Sequence, residues 1–215
     1  MVDLVVIEYG IGNVFSVCNA LKKVGINAQL TREPSAIRNA DMVILPGVGA
    51  FSSAMKNLRK LGLDTEIVAF AKTGKPLLGI CIGMQVLMDL STEFGEHIGL
   101  GLIPGKVKGI RPITTAGKVL RIPHIAWSEV SARPNAPRHK WHSKAFANPA
   151  YYYFVHSYMA YMTNPDHLLA TAKYGGYLIT GAIGRDNILG VQFHPERSGP
   201  AGLRLLKYLV ETGIK

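Results

Sequence analysis

Three short runs in the first half of the chain, Leu4 to Ile7, Met42 to Leu45 and Pro76 to Ile80, are apolar at nearly every position instead of at every second one. A strand that buries both faces needs helices on both sides of its sheet, and that arrangement belongs to parallel sheets. The segments between the runs supply the helices. Asn13 to Val24, Ala54 to Lys60 and Thr65 to Lys72 space their apolar residues at helical intervals, with Asn13 placed as an N-cap and Gly74 as a stop. A short strand near Asn27 to Leu30 and a turn after Pro34 fill the remaining gap. The fold class is therefore α/β, an open, mostly parallel twisted sheet with flanking helices.

The second half holds more strand-like runs and fewer helices: Val119 to Ile122, Tyr151 to Val155, Leu168 to Ala172, Leu178 to Ile183 and Ile188 to Phe193, closed by a helix near Ala201 to Val210. Several of these strands are expected to pair antiparallel. Between Ser131 and Pro149 the prolines Pro134, Pro137 and Pro149 alternate with Arg133, Arg138, Lys140 and Lys144, the composition of a long surface loop. A chain of 215 residues that is 48% hydrophobic fills one core and is short for two average domains, so residues 1–215 are read as a single domain. No targeting signal or membrane-length apolar run is evident, and no motif pairs Cys18 with Cys81, which suits a reducing cytoplasm. The charge of +10 comes from scattered residues such as Lys22, Lys56, Arg59 and Lys106, without a basic run or an RNA-binding aromatic signature. A solvated basic surface, able to meet an acidic partner, is favoured over a nucleic-acid site.

Three motifs carry chemistry. In Gly79-Ile-Cys81-Ile-Gly83-Met-Gln85 an apolar strand turns sharply into a helical run expected from Met84 to Leu90, a nucleophile elbow bearing sulfur. Cys81 would be exposed at the strand's carboxyl end, flanked by glycines that let the backbone bend, and facing a helix N-terminus that favours negative charge. The N–H of Ile82 is one candidate oxyanion donor. Far along the chain, Phe193-His194-Pro195-Glu196 ends another strand; His194 is placed to move the sulfur's proton and Glu196 to orient the imidazole. In Pro46-Gly47-Val48-Gly49, also at a strand end, the N–H groups around Val48 and Gly49 are candidates to complete the oxyanion hole. Gly10-Ile-Gly12-Asn13 lacks the third glycine of a dinucleotide fingerprint, so no such cofactor is expected. Cys18, inside an amphipathic helix beside Val17 and Leu21, reads as core packing.

With these motifs in this order, the chain resembles a class I glutamine amidotransferase domain over nearly its whole length. Within that class it is most similar to the glutaminase subunit of imidazole glycerol phosphate synthase, on Tyr9-Gly-Ile-Gly-Asn13, Pro46-Gly-Val-Gly-Ala-Phe51, Ile122-Pro-His124-Ile-Ala-Trp127, Tyr152-Tyr-Phe-Val-His156-Ser-Tyr158 and Gly190 to Ser198. The resemblance implies that Cys81 forms a glutamyl thioester, that His194 and Glu196 complete a triad, and that Gly47, Val48 and Gly49 stabilise the oxyanion. It places Gln85, His156, Ser157 and Tyr158 around the glutamine substrate. It also implies a barrel-shaped synthase subunit that docks over the active-site mouth, near Asn13, Trp127 and Arg197, and receives ammonia for histidine biosynthesis. No cofactor and no metal are implied, and His124, His139, His142 and His156 lack the spacing of a zinc site. The chain departs from the family in Ala126-Trp127-Ser128, where Gly-Trp-Asn is commoner, and in Arg197, where Lys is commoner. A related subunit that donates ammonia for amidination of bacterial surface sugars remains an alternative, as does a regulatory protein on the same fold, which the intact triad disfavours.

Overall fold

The computed structural model describes residues 3–136 and 144–214. The first half alternates as its apolar runs require: β1 (Leu4–Ile7), α1 (Val14–Lys23), β2 (Gln29–Thr31), α2 (Pro34–Asn39), β3 (Met42–Gly47), α3 (Phe51–Lys60), α4 (Leu63–Ala71), β4 (Leu77–Cys81) and α5 (Ile82–Gln85). Every residue of β1, β3 and β4 is buried, as two-sided helix cover demands. Pro34 begins a helix instead of a turn: it sits in the first turn of α2, where its fixed φ is already helical and its missing N–H has no partner to lose. Asn13 does occupy the N-cap of α1, although its side chain makes no capping hydrogen bond.

The expected helical run from Met84 to Leu90 breaks after Gln85. Val86, Leu87 and Met88 are all fully buried and lead into β5 (Met88–Ser91), which starts a second sheet with β6 (His97–Ile98) and β7 (Ile103–Gly109). An apolar run with no polar face has no helical side to offer solvent, so burial on all sides decides against a longer helix. Next come β8 (His124–Ala132), β9 (Ala150–His156), β10 (Tyr158–Met162), β11 (Leu168–Tyr174), β12 (Tyr177–Arg185), β13 (Ile188–Val191) and α6 (Gly199–Gly213). Val119 to Ile122 is not a strand: Val119 is 90% exposed and contributes only an isolated bridge to Ile113. The strand begins beyond Pro123, which has no N–H to give a ladder.

The main sheet has nine strands in the order β2-β1-β3-β4-β13-β12-β11-β8-β9, and the smaller one has four, β10-β7-β5-β6. β13 is the seam: parallel to β4 on one side and antiparallel to β12 on the other. Beyond it β12, β11, β8 and β9 run antiparallel, as expected for the second half. Helix α1 packs against α6, while α4 packs against α2 and α3. Within the anticipated loop from Ser131 to Pro149, β8 continues through Ala132 and Phe146 is buried against the Phe193 ring. Pro137, Arg138, His139, Lys140 and His142 fall outside the described residues. No helix among the described residues is long and apolar enough to cross a membrane.

Candidate active site

Cys81 ends β4 and is itself the N-cap of α5, so the chain passes from strand to helix within one residue. It adopts φ 54° and ψ −111°, a conformation that a residue with a β-carbon rarely takes and that lifts the thiol off the end of the strand. The flanking glycines serve a purpose other than bending. A β-carbon on Gly79 would lie 2.6 Å from the Gly83 carbonyl oxygen, and one on Gly83 would overlap the carbonyl oxygen of Leu45. Lack of space, not left-handed backbone, requires them. Nor is Cys81 exposed at its elbow; at 4% accessibility it forms the floor of a cavity.

His194 and Glu196 follow β13, the immediate neighbour of β4, so adjacent strands deliver both motifs to one sheet edge. The turn between them is clamped to β9. The His194 N–H donates to the Tyr153 carbonyl at 2.9 Å, Tyr153 N–H to Ser198 Oγ at 2.9 Å, and Ser198 Oγ–H to the His194 carbonyl at 2.6 Å. Glu196 Oε1 accepts from His194 Nδ1 at 2.8 Å, with both side chains buried. This fixes the tautomer and leaves Nε2 for the sulfur. Nε2 has no partner in hydrogen-bonding alignment, while His194 and Cys81 line the same cavity. Burial alone would keep the imidazole neutral, but Cys81 and the Glu196 carboxylate outweigh it and raise its pKa to about 10.

The cavity above Cys81 has a volume of about 350 Å³ and is lined by Val48, Gly49, Ile82, Gln85, His156, Ser157, Tyr158 and His194 together with Glu93, Phe94, Pro123 and Val155. Gly47 lies beneath it instead of lining it: a β-carbon there would stand 2.5 Å from the Tyr9 hydroxyl. That hydroxyl is buried without a partner, and burial, reinforced by the nearby Cys81, keeps it protonated. Glu93 was invisible in the sequence, being one acid among several after β5. Its Oε2 accepts from the Phe51 N–H at 2.6 Å, which fixes the carboxyl group in the cavity wall.

His156 belongs to a buried chain that leads away from the cavity. Its Nδ1 meets the Tyr158 carbonyl at 2.9 Å, its Nε2 meets His124 Nδ1 at 3.0 Å, and His124 Nε2 meets Ser128 Oγ at 3.0 Å. A carbonyl only accepts, so His156 carries its proton on Nδ1, His124 donates from Nδ1, and Ser128 donates to His124. Burial lowers the pKa of His124 to about 4 and that of His156 to about 3. Both rings are neutral.

Asn13, Trp127 and Arg197 are all exposed. Trp127 is 53% exposed, so it is not a core residue under a loop. The Trp127 ring stands 6.1 Å from that of Tyr153, and the Arg197 guanidinium lies 5.0 Å above the same Tyr153 ring. Tyr153 thus ties two of the three together, a role the sequence did not reveal. Asn13 caps α1, which packs against the turn that carries Arg197.

The family described as Glutamine amidotransferase class-I matches residues 5–210. The chain is 45% identical to the imidazole glycerol phosphate synthase subunit HisH of Wolinella succinogenes, covering 97% of this chain and 98% of the relative. It is 48% identical to the subunit of the same name from Lacticaseibacillus casei, with coverage of 97% and 95%. A solved structure described as a glutamine amidotransferase superimposes with a TM-score of 0.72 at 20% identity, covering 97% of this chain and 98% of the other, a likeness of fold.

Proposed function

The chain belongs to the class I glutamine amidotransferase family, and from that premise we propose that it hydrolyses glutamine at Cys81 and passes the ammonia to a synthase subunit that forms imidazole glycerol phosphate for histidine biosynthesis. The observation that carries this reading is the strained cysteine beside a histidine whose far nitrogen is held by a buried glutamate. The Cys81 thiolate attacks the side-chain carboxamide carbon of glutamine, and the carbonyl oxygen becomes an oxyanion. His194 Nε2–H protonates the departing nitrogen, which leaves as ammonia, and a thioester remains. A water, deprotonated by His194, then attacks the thioester; glutamate leaves and Cys81 is restored. N–H groups of Val48, Gly49 and Ile82 at the cavity wall are the oxyanion donors in this scheme. The carboxylate of Glu93 and the unpaired Oε1 of Gln85 suit the substrate's ammonium group.

Relatives at 45% and 48% identity that bear the synthase subunit's name favour this acceptor over the surface-sugar pathway. The barrel-shaped partner and a one-to-one complex with it are part of the same proposal. So is a cytoplasmic setting, which the free thiols of Cys18 and Cys81 suit. The test is glutamate release by the protein alone and with the cognate synthase and its ligand. Wild type is expected to be slow alone and strongly stimulated in the complex, and Cys81→Ala inactive in both. Full activity without the synthase, unchanged on adding it, would show a free-standing glutaminase.

A further inference from the structure

Gln192 stands one residue beyond β13, is wholly buried, and has no part in the triad. Its Nε2 lies 3.7 Å from Cys81 Sγ, within reach of an N–H···S hydrogen bond, and its Oε1 accepts from Gln85 Nε2 at 2.9 Å. An amide with its ends exchanged would instead turn a carbonyl oxygen toward the sulfur, so the direction of this side chain decides its effect on the nucleophile. That direction is set by the backbone. Gln85 Nε2 also donates to the Tyr158 carbonyl at 3.0 Å, and a carbonyl cannot donate. Gln85 must therefore present its NH2 group there, its second N–H faces Gln192 Oε1, and Gln192 is left with its own NH2 group against the sulfur.

The geometry points to Gln192 as a catalytic hydrogen-bond donor to the Cys81 thiolate, with Gln85 as the positioning residue that fixes its orientation from the Tyr158 carbonyl. A hydrogen bond to a charged acceptor is stronger than one to a neutral acceptor, so this N–H favours thiolate over thiol. The donor acts from the side of β13, independently of His194, and is present before substrate arrives. It serves the reaction in two stages: it supports sulfur as an attacking anion, and it supports sulfur again as the leaving group when the thioester is hydrolysed. The inference rests on Cys81 being the nucleophile.

The experiment follows the pH dependence of Cys81 alkylation by iodoacetamide in the full chain, read from the mass of the peptide that contains Cys81, so that Cys18 does not interfere. Gln192→Met keeps the length and removes the donor; Gln192→Glu keeps the shape and, once its carboxyl group is ionised, offers only acceptors. The alkylation midpoint is expected to rise by about one pH unit in Gln192→Met, a tenfold loss of thiolate below the midpoint, and further in Gln192→Glu. A residue that merely fills space would be replaced by Met with no change in midpoint, and that result overturns the proposal. Should either variant fail to fold, the wild type supplies the same answer. The side-chain NH2 resonance of Gln192, in protein labelled with nitrogen-15 glutamine, is expected to shift in step with the thiol titration and to lose that step in Cys81→Ala; a resonance indifferent to the thiol overturns the proposal equally. Failure of the underlying reading looks different: Cys81→Ala would still hydrolyse glutamine, whatever the alkylation midpoints do.

Discussion

His194 and Glu196 share a 2.8 Å contact yet have unequal duties. In the proposed mechanism the imidazole moves the proton, whereas the carboxylate holds the ring and offsets its charge. His194→Asn is expected to lower kcat/KM about a thousandfold or more, and Glu196→Gln to retain more activity, measured as glutamate release in the synthase complex. Equal and mild losses would make the pair structural. The other buried imidazoles bear on stability. His124 and His156 have folded values near 4 and 3, below the ordinary 6.5, so the unfolded chain takes up protons that the folded one refuses. Their contribution is fully present above pH 6.5 and is lost as pH falls toward those lower values, on the order of several kcal/mol for the two together. Urea midpoints should drop steeply between pH 7 and pH 5, and His124→Asn, though less stable at neutral pH, should show a shallower drop. A pH-independent midpoint would contradict the neutral chain.

At the level of elements, the sequence disclosed most where burial is total or chemistry is packed into a short motif. β1, β3 and β4 are legible because two-sided burial leaves no polar positions in them. The elbow at Cys81 and the His-Pro-Glu turn are legible because glycines mark where the chain packs too closely for a side chain and proline marks where a strand's ladder ends. What stayed hidden depends on contacts between distant segments. The run after Gln85 is buried on every side, and only the second sheet makes it a strand. Glu93 faces the cavity because Phe51 offers it an N–H across 42 residues. Tyr153 joins Trp127 to Arg197 through ring contacts that no spacing rule encodes. The glycines test the distinction between space and backbone conformation. Gly83→Ala forces a methyl into the Leu45 carbonyl and should cost about 3 kcal/mol or more, enough to lower soluble yield and the thermal midpoint sharply. At Gly49, with φ of +95° and open space around its α-carbon, Ala should cost about 1 to 2 kcal/mol of conformational strain and leave the core intact. Equal thermal shifts for the two variants would refute it.

For the whole molecule, the exposed Trp127 and Arg197, joined through Tyr153, and the net charge of +10 set expectations for association. Trp127 offers a large aromatic, half exposed and braced by Tyr153, while Arg197 adds a cation on the same ring. Trp127→Ala should weaken synthase binding by about 2 kcal/mol, chiefly through faster dissociation, as expected for an aromatic anchor. Arg197→Ala should slow association and flatten its dependence on salt. Surface plasmon resonance at several ionic strengths separates the two effects. A synthase that binds both variants as it binds wild type would move the docking face elsewhere.

The place of β13 between β4 and β12 has a consequence for synthesis on the ribosome. The segment is made late, yet it belongs in the middle of the main sheet, so until it emerges the parallel and antiparallel halves cannot be joined through it. Both unfinished halves present an open strand edge, the kind of template on which chains aggregate, and β4 must wait with its edge uncovered for about half of translation. On the proposed mechanism, the same delay postpones hydrolysis. Cys81 is made long before His194 and Glu196, so a half-made chain carries the proposed nucleophile without its proposed base until the seam has closed.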